Sequence, residues 1–334
     1  MRRMGREAKT TAAATAANGA KGQWGVRHPV AAALLFLVAW VAVMSVLSAL
    51  CTPVILQLAD NPPAMRFAFE AEALVTILVP AAVFAAFVGG LPRRPRRTAR
   101  RVLADFAGGC AGGAVWFALA ALPLAACGVL AIGEPAVVGA LAVWVIACAV
   151  NAAFQEVLIH GYGFSVLVRG KGVLVAVIAT TVVFTLLHPN AFMCGPIAVA
   201  TIAAAGVLHG LVRLATGGLS ASIALHAVWN ALGGIGFGIV ALADDYPHVF
   251  SGTLSGPAFL SGGTMGLEGS IVALAVTVAA CVLVGLWLRR QHRVRAVADA
   301  RQADGAPVAQ RQQLRASRPA APRQRAASVA SVRR

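Results

Sequence analysis

Long apolar stretches dominate the pattern along the chain, and clusters of basic residues separate several of them. A stretch of about 18 or more apolar residues predicts a helix long enough to cross a bilayer. The pattern therefore predicts an all-α fold, a polytopic bundle of about eight transmembrane helices. The predicted spans cover residues 31–56, 71–90, 108–132, 135–168, 172–188, 197–212, 219–240 and 270–288.

The fourth predicted span is too long for one simple crossing. Residues 135–168 would extend about 51 Å as a continuous helix, whereas a bilayer core is about 30 Å thick. Two glycines flank Tyr162 in the sequence Gly161-Tyr162-Gly163. The helix must therefore tilt, break or continue into the cytoplasm, and this segment is a suitable place for a break.

Composition supports a membrane protein and excludes most other classes. Hydrophobic residues make up 59% of the chain and charged residues only 12%, and the mean hydropathy is +0.79. A soluble domain of this size carries about twice that share of charge, and a disordered or collagen-like chain is far less apolar. The six cysteines lie in or beside apolar spans without a C-x-x-C pair, which indicates small buried side chains instead of a disulfide framework.

The positive charge is distributed unevenly along the chain. The net charge is +16, and 27 of the 28 Lys and Arg residues fall in the two tails and in alternate loops, with Arg66 alone on the other side. The positive-inside rule then places both termini in the cytoplasm. We interpret the basic residues as topology determinants that also contact anionic lipid, and we expect no nucleic-acid binding.

The domain organisation follows from these spans. Residues 289–334 are rich in Arg, Ala, Gln and Pro without apolar periodicity, which predicts disorder. The predicted segments are a basic cytoplasmic tail (1–29), N-terminal transmembrane helices (30–134), a core with the polar motifs (135–240), an outer loop (241–269), a last transmembrane helix (270–288) and an Arg-rich cytoplasmic tail (289–334).

Polar groups inside the predicted spans are the candidate functional residues, because ionisable side chains at membrane depth are costly. Glu156 and His160 are four residues apart and share a helix face, as do His226 and Asn230. Gln155 lies about 100° round the helix from Glu156. His209 is expected to bridge helices by hydrogen bonding. The candidate site residues on spans four, five and seven are Gln155, Glu156, His160, His188, His226 and Asn230. Of these, either Glu156 or Gln155 should face one cavity open to the cytoplasm, together with His188, His226 and Asn230.

Three motifs in this core resemble those of the CAAX protease and bacteriocin-processing (CPBP) family of intramembrane proteases. The family patterns are Glu-Glu-x-x-x-Arg-Gly, Phe-x-x-x-His and His-x-x-x-Asn. The corresponding segments here are Gln155-Glu156-Val-Leu-Ile-His160-Gly161, Phe184-Thr-Leu-Leu-His188 and His226-Ala-Val-Trp-Asn230.

The resemblance implies an endopeptidase that activates water within the bilayer. By position, His188 would orient the water, and His226 with Asn230 would stabilise the oxyanion. Gln155 stands where the family has its first Glu, and an amide is not a useful base. Glu156 retains the second carboxylate, with His160 in place of the family's Arg. Either Glu156 replaces the missing base, or His188 acts alone, or proteolysis has been lost.

Three hypotheses remain open at this point. The first is a peptidase that acts on a membrane-associated, CAAX-like or small peptide substrate, without a cofactor. The second is an inactive relative that serves as a membrane scaffold or immunity factor. The third is a zinc site formed by Glu156, His160, His188 and His226, whose side chains are suitable ligands, although the chain has no His-Glu-x-x-His motif. The expected partners are membrane lipids and a membrane-associated peptide or protein.

Overall fold

The computed structural model describes residues 24–89, 91, 97–240 and 246–305. Within these ranges most residues are helical, and a small antiparallel sheet pairs β1 (Leu130–Pro135) with β2 (Phe250–Leu254). The helices are α1 (Trp24–Arg27), α2 (Pro29–Ile55), α3 (Pro62–Val83), α4 (Ala99–Ala126), α5 (Leu141–His160), α6 (Tyr162–Lys171), α7 (Val173–Leu186), α8 (Pro189–Cys194), α9 (Pro196–Thr216), α10 (Ser220–Asn230), α11 (Ala258–Ser261) and α12 (Ile271–Gly305).

Local sequence signals account for several helix starts. Proline lies in the first turn of α2, α3, α8 and α9, where its missing N–H costs no hydrogen bond. At the N-terminus of α3 the Asn61 side chain accepts the N–H of Ala64 at 3.4 Å, and at that of α4 Thr98 accepts the N–H of Arg101 at 3.3 Å. These caps satisfy donors that have no partner inside the helix.

The predicted all-α polytopic bundle is confirmed, although two predicted spans are shorter than expected. α7 has 14 residues, and α10 has 11 before it continues as a π-helical segment, Ala231–Gly236. Among the described residues six helical segments are long and apolar enough to cross a membrane: Pro29–Leu58, Pro62–Val88, Ala99–Ala126, Leu141–Lys171, Pro196–Thr216 and Ile271–Gln291. Large apolar side chains such as Leu50, Leu122 and Leu283 are about two-thirds exposed, as expected for contact with lipid.

The expected break in the fourth span is present at Gly161. α5 ends at His160 and α6 begins at Tyr162. A Cβ atom on Gly161 would overlap the carbonyl oxygen of Val157, so this junction requires glycine. Arg213 of α9 spans the junction, with Nε donating to the His160 carbonyl at 3.3 Å and Nη2 to Ser165 Oγ at 3.4 Å.

The sheet was not predicted from the sequence. The third span was expected to continue to residue 132, but α4 ends at Ala126 and the chain turns into β1. Leu130 pairs with Leu254, and Pro135 pairs with Phe250. The segment expected as a plain outer loop therefore supplies β2, and α11 and two 3₁₀ turns follow it.

The C-terminal region differs from the expectation of disorder beyond residue 288. α12 is helical to Gly305, whereas residues 306–334 lie outside the described residues, as do residues 1–23 and 92–96 of the basic segments. The chain divides into two compact units, Met1–Gly285 and Leu286–Arg334, and the second comprises the end of α12 and the residues after it. The bundle and its polar core belong to the first unit.

Close packing of α4 against α10 fixes the position of the helix that carries His226 and Asn230. Two glycines of α4, Gly109 and Gly113, face the α10 backbone so closely that a Cβ on either would meet a carbonyl oxygen of that helix. Above them, Trp116 stacks on Trp229 with ring centroids 3.9 Å apart. Small residues that allow close backbone approach are typical of helix contacts in membranes.

Candidate active site

Polar side chains from several elements meet in one region of the bundle. They come from helices α5, α9 and α10 and from the junction between α7 and α8. α5 supplies Glu156 and His160, which are fully buried. α9 supplies His209, and α10 supplies His226, both buried. His188 lies between α7 and α8 and is partly buried.

Glu156 is the centre of a cluster of three histidines. His160 Nδ1 lies 2.9 Å from Glu156 Oε2, and His226 Nδ1 lies 3.1 Å from Glu156 Oε1. An ionised carboxylate only accepts hydrogen bonds, so both imidazoles donate from Nδ1. His209 Nδ1 lies 3.5 Å from Glu156 Oε1, a longer contact that is not a hydrogen bond.

The hydrogen bonds at Nδ1 determine what His188 and His226 present on their other ring nitrogen. His188 donates from Nδ1 to the Phe184 carbonyl oxygen at 2.7 Å. In its neutral form His188 therefore has its lone pair on Nε2, and the same holds for His226. A second proton on either ring would convert its Nε2 from an acceptor into a donor.

A cavity of about 340 Å³ adjoins this cluster. The predicted site residues Gln155, His188, His226 and Asn230 all line it. Glu156 and His160 do not, because Glu156 lies behind His226 and His160 lies on the far oxygen of Glu156. The structure thus brings four of the six predicted residues to one cavity and places the other two in the layer behind it.

Gln155 belongs to a second polar network, on the adjacent face of α5. Its Nε2 donates to Asn151 Oδ1 at 2.7 Å, and Asn151 Nδ2 donates to Glu70 Oε2 at 2.7 Å. Glu70 forms a salt bridge with Arg66 at 2.7 Å. Gln155 is therefore held with its amide nitrogen engaged and its carbonyl oxygen as a hydrogen-bond acceptor.

Residues 137–232 match the family model described as Type II CAAX prenyl endopeptidase Rce1-like. We refer to these matched residues as the Rce1-like domain. The family resemblance predicted from the three motifs is thereby confirmed. No curated protein and no solved structure matches the chain significantly.

The cavity extends beyond the Rce1-like domain. Arg66 precedes the matched residues, Tyr246 and Glu268 follow them, and all three line the cavity. The Arg66 guanidinium lies over the Tyr246 ring, 4.3 Å from its centroid. These side chains were missed from the sequence because they lie at span ends and in a Gly-rich loop, where charged and polar residues are ordinary.

Glu268 is the buried carboxyl group at the far end of the cavity. Trp229 Nε1 donates to Glu268 Oε1 at 3.1 Å, and Oε2 has no hydrogen-bond partner among the described residues. Burial raises the pKa of Glu268 to about 7. This group therefore changes charge near neutral pH, directly beside the Rce1-like domain.

The cavity lies toward one end of the bundle, and its predicted opening to the cytoplasm stays a prediction. Arg66 and Glu268 lie at the helix ends opposite Arg169, Lys171 and Arg213, which the charge pattern places on the cytoplasmic side. The cavity therefore reaches from the middle of the bundle toward the end that carries the sheet.

Proposed function

We propose that the chain is an intramembrane endopeptidase that holds a peptide bond between His188 and the pair His226 and Asn230. The observation that carries this proposal is the convergence of Gln155, His188, His226 and Asn230 on one cavity within the Rce1-like domain. The cavity lies among apolar helices, which favours a membrane-associated peptide as substrate. Lipids and such a peptide or protein, including CAAX-like C-termini, are the proposed partners.

In this mechanism His188 acts as the general base. Its Nδ1–H is fixed by the Phe184 carbonyl, so Nε2 is free to take a proton from a water molecule in the cavity. Gln155 orients that water through its side-chain oxygen but does not take the proton. The resulting hydroxide attacks the carbonyl carbon, and His188 then returns the proton to the departing amine.

The oxyanion is stabilised by Asn230 and His226. The buried Glu156 carboxylate needs a neutralising positive charge, and an imidazolium at His226 supplies it while presenting Nε2–H to the cavity. The Asn230 amide provides a second donor. Donors held rigidly at the developing charge lower the barrier by several kcal/mol.

The test is peptide hydrolysis by the full-length protein in proteoliposomes. His188→Ala should reduce turnover by about 10²–10⁴, the usual contribution of a general base. Asn230→Ala should reduce turnover by about 10²–10³, as expected for a lost oxyanion donor. His28→Ala, which changes an exposed histidine next to α2, is the matched control and should retain wild-type turnover. Unchanged hydrolysis in His188→Ala would contradict the proposal.

A membrane scaffold is the alternative function, because the amide of Gln155 has no usable basicity. Gln155→Glu should raise turnover by about 10–10² if the chain is a peptidase, since it adds a carboxylate in the cavity. The new carboxylate would then face Asn151 Oδ1, which cannot donate to it, so Asn151 would have to turn its Nδ2 away from Glu70. We therefore expect a larger gain when Gln155→Glu is combined with Glu70→Gln. No hydrolysis by wild type or by either variant, with the protein correctly inserted, would favour the scaffold.

The charge pattern further supports a multi-pass protein of the cell membrane with both termini in the cytoplasm. In that orientation the cavity faces the outer half of the bilayer. The substrate would then reach the site from the outer leaflet or the extracytoplasmic space.

A further inference from the structure

His209 is the buried polar group of the cluster that the proposed mechanism does not use. Its side chain is almost completely buried, and its Nδ1 has no hydrogen-bond partner among the described residues. That nitrogen lies 3.5 Å from Glu156 Oε1. A buried nitrogen without a partner costs free energy, so its place beside a carboxylate oxygen calls for a ligand that both can bind.

The spacing of the ligand atoms fits a small metal ion. Zinc bonds of about 2.0–2.1 Å in a tetrahedron place neighbouring ligand atoms about 3.3 Å apart. Glu156 Oε1 lies 3.1 Å from His226 Nδ1 and 3.5 Å from His209 Nδ1. One ligand atom from each of the three residues lies within 4.8 Å of the other two. Two edges of the tetrahedron are therefore already close to their ideal length.

The surroundings of these three residues also suit a metal site. His160 donates to Glu156 Oε2, which leaves Oε1 as the oxygen for a single metal bond. Such outer hydrogen bonds orient metal ligands and raise their affinity. The rings of His209 and His226 lie 4.7 Å apart at an angle of 31°, and Trp116 packs edge-on against His209.

We propose that Glu156, His209 and His226 bind a divalent transition metal such as Zn²⁺. His209 and His226 both line the cavity, which gives a metal ion a route to the site. This set differs from the zinc site considered from the sequence, because His160 binds the other carboxylate oxygen and His188 bonds to the backbone of Phe184. In the proposed site His209 is a ligand, and His160 and His188 are not.

The inference deepens the proposed function and rests on it for its role in catalysis. A metal ion would neutralise Glu156 in place of an imidazolium. A metal on Nδ1 of His226 also leaves the proton on Nε2, so His226 remains an oxyanion donor. The peptidase mechanism above is compatible with either the proton or the metal at this position.

The test is metal binding by the tag-free full-length protein in detergent. After removal of bound metal with a chelator, wild type should take up one equivalent of Zn²⁺ or Co²⁺, and Co²⁺ should give the intense visible absorption of a tetrahedral site. His209→Ala should weaken binding by more than about 100-fold, since loss of an outer partner alone costs 10–100-fold. His28→Ala is the control and should bind like wild type.

A second variant separates loss of a ligand from loss of the fold. His209→Cys retains a metal ligand, so it should still bind Co²⁺ and should add the near-ultraviolet charge-transfer band of a thiolate–cobalt bond. Absence of stoichiometric binding by wild type, or wild-type affinity in His209→Ala, would overturn the proposal. Peptide hydrolysis by a wild type that fails to bind stoichiometric metal would overturn the metal site and leave the proposed function intact. Stoichiometric metal binding without peptide hydrolysis would support the metal site and contradict the proposed function.

Discussion

Two adjacent residues on α5 have different surroundings and different roles. Gln155 lines the cavity, whereas Glu156 is fully buried and binds His160 and His226. Neighbours on a helix point about 100° apart, so the sequence could predict that the two side chains do different work. It could not predict that the Glu156 carboxylate would bind His226 or that the Gln155 amide would face the cavity. Both depend on how α5 is rotated against α3 and α10.

The role of His209 could not be read from the sequence for a similar reason. A lone histidine in an apolar span predicts a helix-bridging hydrogen bond as readily as a functional site. Only the packing of α9 beside α5 places its Nδ1 next to Glu156. The motif residues were found because three motifs constrain one another, and His209 belongs to none of them.

Glu268 gives a residue-scale prediction about stability and pH. Burial raises its pKa from an ordinary value near 4.5 to about 7. Between these two values the folded protein holds a proton that the unfolded chain has released, so stability falls as pH rises through this window. Glu268→Gln removes the titrating group and retains an oxygen to accept from Trp229. At pH 8 the variant should be more stable than wild type by about 3 kcal/mol at most, and the difference should vanish near pH 4.5.

Thermal unfolding in detergent between pH 4.5 and pH 8 measures this difference. Glu134→Gln changes an exposed carboxyl group of β1 and serves as the control. Parallel stability curves for wild type and Glu268→Gln across the whole range would show that Glu268 does not titrate as predicted.

At the scale of elements, apolar length was a good guide to where helices occur and a poor guide to where they end. The segment 172–188 is apolar throughout, yet α7 stops at Leu186, next to a junction set by Pro189. α10 changes to π-helical hydrogen bonding after Asn230. The pairing of β1 with β2 joins residues more than a hundred positions apart, and no local pattern reveals such a contact.

The contact between α4 and α10 yields an element-scale prediction with an internal control. Gly109 faces α10, and a Cβ there would overlap the carbonyl oxygen of Ala221, whereas a Cβ on the adjacent Gly108 would meet nothing within 4 Å. Gly109→Ala should therefore push the two helices apart and cost about 1–3 kcal/mol. Turnover should fall as well, because α10 carries His226 and Asn230.

Gly108→Ala makes the same chemical change on the open face of α4. Alanine favours the helix over glycine by about 1 kcal/mol, so this variant should be as stable as wild type or slightly more so. Unfolding midpoints and peptide hydrolysis of both variants are the measurements. Equal effects of the two substitutions would mean that the α4–α10 contact does not position the site.

At the scale of the whole molecule, the charge pattern and the cavity make a joint prediction about orientation. The exposed Cys127 lies where α4 turns toward β1, at the end of the bundle where the cavity lies. Lys171 lies at the end of α6, on the side that the charge pattern assigns to the cytoplasm. The two positions should therefore lie on opposite sides of the membrane.

Labelling with a membrane-impermeant maleimide tests this orientation. A variant that retains only Cys127 should react in intact cells. A cysteine-free variant with Lys171→Cys should react only after the membrane is opened. The opposite pattern would contradict the charge-derived orientation and place the cavity at the cytoplasmic end.

The small sheet has a consequence for the architecture of the whole chain. Pro135 and Phe250 are paired across it, and the Ala136 N–H bonds to the Val249 carbonyl oxygen at 2.7 Å. The chain thus leaves this point just before the Rce1-like domain and returns to it soon afterwards. A segment whose two ends lie close together is typical of an inserted module. Such modules tolerate circular permutation and insertion into another chain. The strands therefore hold together the two ends of the segment that runs from α5 to α10.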